Sequence, residues 1–213
     1  MARISECLRL AELTCARLCH DLSGLLGTIG GALELATDGD QEVSEDIALA
    51  ADAARELILR LRLYRAAWGG VGESLSLSAL CDLMEGLPQA RSVTLETQGL
   101  PPDTILPPAV GVLALNLNLL LLSGECLPRG GRILLAGTSG DLFLRILGPN
   151  AAWPAGFAAC IADETAAIGA LTTARAIQMP LTALMAHGHG LRLSMLMGPT
   201  PAGAPPPLRL EAA

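Results

Sequence analysis

The sequence predicts an α+β protein in two parts: an antiparallel helical hairpin over residues 1–70 and an α/β sandwich over residues 71–213. Apolar residues recur in alternating steps of four and three over two long stretches, which is the heptad spacing of packed helices. The turn-forming residues 37–40 separate the two stretches. After Gly72 the pattern changes to short alternating strand and helix signals, which are typical of helices packed on one face of a mixed sheet.

The first helix is predicted over about residues 4–36 and contains the most conspicuous chemical group of the chain, His20. Its seam consists of small and apolar residues: Ile4, Leu8, Ala11, Cys15, Leu18, Leu22, Leu25, Ile29, Ala32 and Ala36. In this heptad His20 takes the f position, farthest from a partner helix, so we expect its imidazole to face solvent. Consecutive helical side chains diverge, so we expect no direct contact between Asp21 and the ring.

The second helix is predicted to end at Gly69 and Gly70. Its seam again advances in steps of four and three, through Val43, Ile47, Ala50, Ala54, Leu57, Leu61, Tyr64 and Trp68. A two-helix hairpin has too little interior to be stable alone, and Ile58, Leu59 and Leu63 widen the apolar stripe beyond one seam. We therefore predict that two copies form a homodimer through a four-helix bundle.

Three arginines are expected near His20. Folding the hairpin about Gly39 brings Arg60 and Arg62 level with the histidine, and Arg17 precedes it by about one turn. Guanidinium groups there would favour an incoming phosphoryl group or an acidic partner. Complementing the helix dipole and solvating the surface explain the same arginines equally well.

Glycines follow His20 along the outer face of the first helix, at Gly24, Gly27 and Gly31. Each glycine in a helix interior costs about 1 kcal/mol relative to alanine. A track without side chains would let a partner's helix or loop approach the backbone, and we include the neighbouring Ser23 in this docking surface. The alternative is a helix that frays or kinks near Gly30 and Gly31.

The second half is predicted to alternate strands and helices. Strands are expected at residues 74–77, 92–97, 131–137, 141–147 and 191–197, with an edge strand at 208–211. Helices are expected at residues 79–85, 107–123, 155–162 and 171–186. The strands at 131–137 and 141–147 form a hairpin that turns at residues 139–140.

Composition excludes several classes of partner. The net charge of -7 and pI near 4.9 argue against nucleic acid, which needs a basic face. The longest apolar run, residues 110–122, is interrupted by Asn116 and Asn118 and is shorter than the roughly 20 residues of a membrane span. The six cysteines have neither CxxC nor zinc spacing, so we expect a reduced, cytoplasmic protein without a metal site.

The segment Ala16-Arg17-Leu18-Cys19-His20-Asp21-Leu22, followed by Gly31-Ala32-Leu33-Glu34-Leu35, resembles the ChpT-type histidine phosphotransferases of alphaproteobacteria. The apolar helix before Pro128-Arg129-Gly130-Gly131 fits that family too. Such proteins are built like the dimerisation and ATP-binding halves of a bacterial sensor histidine kinase. The resemblance covers most of the chain, with nearly all of its specificity around His20.

The resemblance implies a phosphorelay. His20 would accept a phosphoryl group from an aspartyl phosphate on the receiver domain of a hybrid histidine kinase and pass it to a response regulator. Asp21 would orient the ring or act as acid and base. The receiver would bring its own Mg²⁺, and the chain would need no cofactor.

Two other functions stay open at this stage. An ATP-dependent histidine kinase needs an acidic DxGxG loop after a strand, but here residues 142–147 lead into Gly148-Pro149-Asn150-Ala151-Ala152. Asn116 and Asn118 are either remnants of a metal-binding asparagine or buried structural residues. The third hypothesis is a non-catalytic dimeric scaffold for response regulators. Substituting His20 by alanine distinguishes it from a relay protein, because the substitution would abolish phosphotransfer but leave docking intact.

Overall fold

The predicted α+β class is confirmed. The computed structural model describes residues 2–38, 43–69, 75–106, 112–138, 141–198 and 204–212. In these ranges a helical hairpin precedes a five-stranded mixed sheet with its helices. The expected turn at residues 139–140, the prolines at 107–108 and the boundary at 70–71 lie outside or at the edge of the described residues. The division into two domains there stays a prediction.

The hairpin helices match their predicted limits closely. Helix α1 spans Ala2–Asp38 and α2 spans Val43–Trp68. The first helix continues without a break through Gly30 and Gly31, so the expected alternative of fraying there is not observed. The two helices pack along their length, with Ala32 and Ala50 buried between them.

At the N-terminal end of α1 the predicted seam is wrong, because its residues are not buried against α2 in the single chain. Ile4 and Leu8 are 67% and 59% exposed. Helix α2 ends at Trp68, which packs in the same cluster as Leu13, so the first turns of α1 have no α2 residues opposite them. A different side of α1 is covered instead, because Leu10 and Leu13 pack against residues of the α/β part.

The remaining helices and strands form the α/β unit, defined here as the described residues from 75 onward. Its helices are α3 (Leu77–Leu83), α4 (Val112–Glu125), α5 (Phe157–Ala162), α6 (Glu164–Gly169) and α7 (Gln178–Gly188), with 3₁₀ turns at Met84–Gly86 and Ala174–Ala176. Its strands are β1 (Leu75–Ser76), β2 (Val93–Gln98), β3 (Ile105–Leu106), β4 (Gly131–Thr138), β5 (Asp141–Leu147), β6 (Leu191–Met195) and β7 (Leu208–Ala212).

The main sheet has the order β2-β4-β5-β7-β6. Strand β2 runs parallel to β4, and the other pairs are antiparallel. The expectation that residues 208–211 form an edge strand is wrong, since β7 pairs with β5 on one side and β6 on the other. Leu208 and Leu210 are both buried, which is why this strand belongs in the interior of the sheet.

Two further differences concern helices and short strands. The helix expected from residue 171 begins only at Gln178, after a 3₁₀ turn. Pro180 then stands in the first turn, where its missing N–H is tolerated because those N–H groups have no helical partner. Strands β1 and β3 form a separate two-stranded sheet. Strand β3 was not predicted, because it lies between prolines and has no clear strand pattern.

Helices cover one face of the sheet, as predicted. Ile133, Leu135 and Leu144 are buried, whereas the alternate residues Arg132 and Arg145 are exposed. Such alternation follows from the two-residue period of a strand. Helix α4 is the central layer, since residues 115–124 are all buried.

The C-terminal half of α2 is built into this same core. Leu63, Tyr64 and Ala67 belong to the cluster that contains the sheet and α4. The buried amide of Asn118 accepts from the Trp68 indole at 2.8 Å and donates to the Ala67 carbonyl at 3.0 Å. Asn118 is therefore a buried structural residue that joins α4 to α2.

A close backbone approach fixes α2 from a second side. A Cβ on Gly86, in the first 3₁₀ turn, would lie 2.3 Å from the carbonyl oxygen of Leu59. Only glycine permits this approach. The hairpin is thus held against the α/β unit at two levels, and its histidine is presented beside that unit.

Three global expectations can be compared with the described residues. None of their helices is both long and apolar enough to cross a membrane. Within the same ranges no group of three or more His, Cys, Asp or Glu side chains could hold a metal ion. All six cysteines are free thiols.

Candidate functional site

His20 stands on the outer side of α1, with 83% of its side chain exposed. Its Nδ1 lies 3.2 Å from Oδ1 of Asp21. The expectation that adjacent helical side chains would not meet is therefore wrong here. The reason is that Tyr64 and Arg17 hold the carboxylate of Asp21 by hydrogen bonds.

The side chain of Asp21 is bonded to three other side chains, those of His20, Tyr64 and Arg17. Its Oδ2 accepts hydrogen bonds from the Tyr64 hydroxyl at 2.6 Å and from Arg17 Nε at 2.5 Å. Burial alone would raise the pKa of Asp21, but the hydrogen bonds from Tyr64 and Arg17 outweigh it and lower that pKa below its ordinary value.

The ionised carboxylate determines which nitrogen of the imidazole carries the proton. A carboxylate only accepts, so the Nδ1 of His20 is the donor in this pair. The other ring nitrogen, Nε2, is left without a proton in the neutral ring. A nucleophilic nitrogen therefore faces solvent.

Arg17 joins α1 to the α/β unit. Its Nη2 lies 2.7 Å from Oε1 of Glu125, at the end of α4, and its Nη1 donates to the carbonyl of Arg175 at 3.2 Å. Burial would lower the pKa of Arg17, but Glu125 and Asp21 raise it. For Glu125 burial is the stronger effect, and its pKa is raised despite the nearby guanidinium.

These groups line an open hollow of about 780 Å³ between α1 and the α/β unit. Its lining consists of Ala16, Arg17, His20, Asp21, Gln89, Glu125, Ala174 and Arg175. Arg175 is exposed, and its guanidinium makes no ion pair within the described part of the chain. The nucleophile His20 and the exposed Arg175 thus line the same hollow.

The three predicted arginines lie in different surroundings. Arg60 is only 8% exposed and donates to the carbonyl of Asp21 at 3.2 Å, so it lies inside the structure beneath His20. The guanidinium of Arg17 is bonded to the carboxylates of Asp21 and Glu125. Arg62 is exposed but lines a separate hollow with Ala66 and Asp82.

The glycine track is open. Among the described residues, a Cβ at Gly24, Gly27 or Gly31 would meet nothing within 4 Å outside the backbone of its own helix. The Ser23 hydroxyl is exposed and donates to the carbonyl of Cys19 at 2.6 Å. The outer face of α1 beyond His20 therefore offers bare backbone to any partner.

Sequence reasoning missed Tyr64, Glu125, Gln89 and Arg175 as residues of this site. Tyr64 was assigned to the apolar seam, although a hydroxyl in a buried seam requires a hydrogen-bond partner. Glu125 also left a signal, because an acidic residue at a helix C-terminus is unfavourable unless a cation pairs with it. Gln89 stands in a turn and Arg175 in the 3₁₀ turn Ala174–Ala176, and neither leaves such a signal.

A family model for the histidine phosphotransferase C-terminal domain matches residues 84–200, more than half of the chain. The chain belongs to this family. The match covers most of the α/β unit, including Glu125 and Arg175, and begins 64 residues after His20, which it therefore leaves out. The histidine itself therefore has to be judged from its own geometry.

Two relatives extend the comparison. The chain is 32% identical to the protein phosphotransferase ChpT of Brucella abortus (strain 2308) over 132 residues, which are 59% of this chain and 59% of that protein. A solved structure described as a bacterial phosphotransferase at 1.7 Å has a TM-score of 0.72, with 24% identity over 96% of both chains. The latter likeness shows the fold, hairpin included.

Proposed function

We propose that this chain is a phosphorelay protein that carries a phosphoryl group on His20. The observation that supports this most directly is the exposed imidazole whose Nδ1 is engaged by Asp21. When such a ring is neutral and Nδ1 carries its proton, Nε2 is the free nucleophilic nitrogen. The donor would be the aspartyl phosphate of a receiver domain in a hybrid histidine kinase, and the acceptor the receiver of a response regulator.

In the accepting step, Nε2 of His20 attacks the phosphorus of the aspartyl phosphate. An N–P bond forms, and the P–O bond to the acyl oxygen breaks, so the receiver's aspartate leaves as a carboxylate. The ring keeps its Nδ1 proton and becomes an imidazolium. The carboxylate of Asp21, 3.2 Å from that nitrogen, stabilises the positive charge.

In the donating step, a carboxylate oxygen of the second receiver attacks the phosphorus. The N–P bond breaks, and its electron pair returns to Nε2. No proton has to be supplied or removed, because Nδ1 remains protonated throughout. Phosphoryl transfer of this kind depends on in-line positioning and charge stabilisation.

The receiver would supply the Mg²⁺ and the acidic residues that hold it. This chain's contribution would be the nucleophile and the exposed cation that lines the same hollow, Arg175. The free thiols are in keeping with a reducing compartment, and we place the relay in the cytoplasm.

The docking surface for the receiver would begin at the glycine track. Ser23, Gly24, Gly27 and Gly31 are exposed and offer close approach to the backbone of α1. Arg62 would contact the partner only if the receiver extends over α2 to its separate hollow. Arg17 and Arg60 would act from within, since both are bonded to Asp21.

We further propose that the chain acts as a homodimer through its hairpin. Several large apolar side chains of α1 and α2 are about half exposed in the single chain: Leu26, Leu33, Ile47, Ile58 and Leu61. Exposed apolar side chains at this density mark an interaction surface. A second hairpin would cover them in a four-helix bundle.

The test is transfer from a radiolabelled, phosphorylated receiver domain to the purified chain with Mg²⁺ and without ATP. We expect acid-labile, alkali-stable label on this chain. His20→Ala should abolish the label, and His189→Ala, which changes an exposed histidine after α7, should retain it.

The outcomes separate the three functions. No transfer from any receiver of the host, together with autophosphorylation by ATP, would contradict the relay and favour a kinase. No label by either route, with receiver binding retained in His20→Ala, would favour the scaffold.

A further inference from the structure

The side chain of Asp21 bonds to more groups than a surface aspartate beside a histidine needs. One oxygen contacts His20, and the other is shared by Tyr64 at 2.6 Å and Arg17 at 2.5 Å. Only 10% of this side chain is exposed, against 83% for His20. The buried oxygen is thus fully occupied, and the remaining one is aimed at the imidazole.

This arrangement requires outside support. Side chains at consecutive helix positions diverge by about 100°, so an unrestrained aspartate would turn to solvent instead of to the neighbouring ring. Tyr64 reaches Asp21 from α2, and its ring is itself fixed by stacking on Trp68 with centroids 4.4 Å apart. Burial and the contact with Asp21 raise the pKa of Tyr64, so the phenol stays protonated as a donor.

The second support comes from the α/β unit. Arg17 bonds Asp21 through Nε and Glu125 through Nη2, so one planar guanidinium bridges carboxylates of α1 and α4. The remaining nitrogen of the Arg17 guanidinium, Nη1, donates to the carbonyl of Arg175. Because this fork is rigid, a displacement of Glu125 moves the hydrogen bonds offered to Asp21.

We propose that Tyr64 and the Arg17–Glu125 pair are positioning residues that hold Asp21, and through it His20, with Nε2 turned to the incoming phosphoryl group. The α/β unit, through Glu125, is then part of the phosphotransfer site as well as a neighbour of it. This inference rests on the proposed relay function, which it deepens.

The test uses the full chain with Tyr64→Phe, which removes one hydroxyl and keeps the stacked ring. Long-range proton–nitrogen NMR at about pH 8, where free imidazole is neutral, measures the tautomer of His20. Single-turnover transfer from a phosphorylated receiver gives the rate, and titration with the unphosphorylated receiver gives its Kd.

We expect Tyr64→Phe to lower the fraction of the Nδ1–H tautomer and to slow transfer about tenfold, as for loss of a hydrogen bond to a charged group. The receiver's Kd should not change. Glu125→Gln should act in the same direction with a smaller effect. Glu164→Gln, a matched change at an exposed glutamate of α6, should alter none of the three quantities.

An unchanged tautomer and rate in Tyr64→Phe would overturn the proposal. So would a slower rate that is explained by a weaker Kd, since that result would indicate docking. If the wild-type chain accepts no label, the relay function itself fails, and the tautomer measurement still decides whether Tyr64 positions the ring.

Discussion

Asp21 and Glu125 share the guanidinium of Arg17 but titrate in opposite directions. The pKa of Asp21 is lowered because its hydrogen bonds from Tyr64 and Arg17 outweigh burial. The pKa of Glu125 is raised because burial outweighs its ion pair. Asp21 therefore stabilises the fold above its ordinary pKa, and this contribution is lost only as the pH falls through its lowered value. Glu125, whose pKa is raised, stabilises the fold below its ordinary pKa, and this contribution is lost as the pH rises through the raised value.

The raised pKa of Glu125 predicts a pH-dependent stability. Its favourable contribution is fully present below the unfolded pKa of about 4.3 and is lost as the pH rises through the folded pKa. The free energy of unfolding of the wild type minus that of Glu125→Gln should therefore decrease across this window by about 1.4 kcal/mol for each unit of raised pKa.

Urea unfolding of both proteins from about pH 4 to pH 7.5 measures this difference, which should level off above the folded pKa. A difference that grows with rising pH would contradict burial as the dominant effect on Glu125. Such a result would instead indicate that the ion pair with Arg17 prevails.

Helix α1 is the element in which local stability and function are in conflict. Four exposed glycines, at positions 24, 27, 30 and 31, lower its helix propensity. Among the described residues no neighbour requires their missing side chains, since a Cβ at each would meet nothing within 4 Å. A reason for them therefore has to be sought outside the single chain. Close approach of a partner is that reason in the docking surface we propose.

Replacing Gly24, Gly27 and Gly31 by alanine should separate the two effects. Each change should raise the free energy of unfolding by up to about 1 kcal/mol, because alanine is the better helix former. Receiver binding should weaken by about 1–3 kcal/mol in the triple variant, because the added methyl groups overpack the contact. Urea unfolding and calorimetric titration measure the two quantities.

Gly169→Ala is the matched control. This glycine ends α6 in the α/β unit, is exposed and has the same open space around its Cβ position. It should leave receiver binding unchanged. Tight receiver binding by the triple glycine variant would show that the track is not a docking surface.

At the scale of the whole molecule, the hairpin is covered unevenly. Leu63, Tyr64 and Ala67 of α2 are buried in the core of the α/β unit, whereas Ile47, Ile58 and Leu61 stay about half exposed. Leu63 is fully buried, so Leu63→Ala should lower the free energy of unfolding by about 2–5 kcal/mol. One side of the hairpin is thus anchored, and the other is free for a second copy.

The proposed homodimer predicts that Ile58→Glu yields monomers, because a charge would be placed in the apolar contact. Sedimentation velocity measures the state directly, and the midpoint of thermal unfolding should lose its dependence on protein concentration. Met197→Glu is the control, since Met197 is 90% exposed and lies after β6. A monomeric wild type would contradict the dimer.

Much of this molecule was predictable from short stretches of sequence. The limits of α1 and α2, the exposure of His20 and the alternation along β4 and β5 follow from periods of 3.6 and 2, which are repeated within about ten residues. Such periodicity is a local property of the backbone. The position of the histidine on α1 and its exposure to solvent could therefore be predicted from local sequence.

The surroundings of that histidine depend on contacts between residues that are far apart in sequence. Tyr64 is 43 residues from Asp21, and Glu125 is 108 residues from Arg17. Which side chains meet over such distances depends on how whole elements pack, as the burial of Arg60 and the interior position of β7 between β5 and β6 also illustrate. No local period encodes these contacts, because they arise only when α4 docks beside α1 and α2 closes against both.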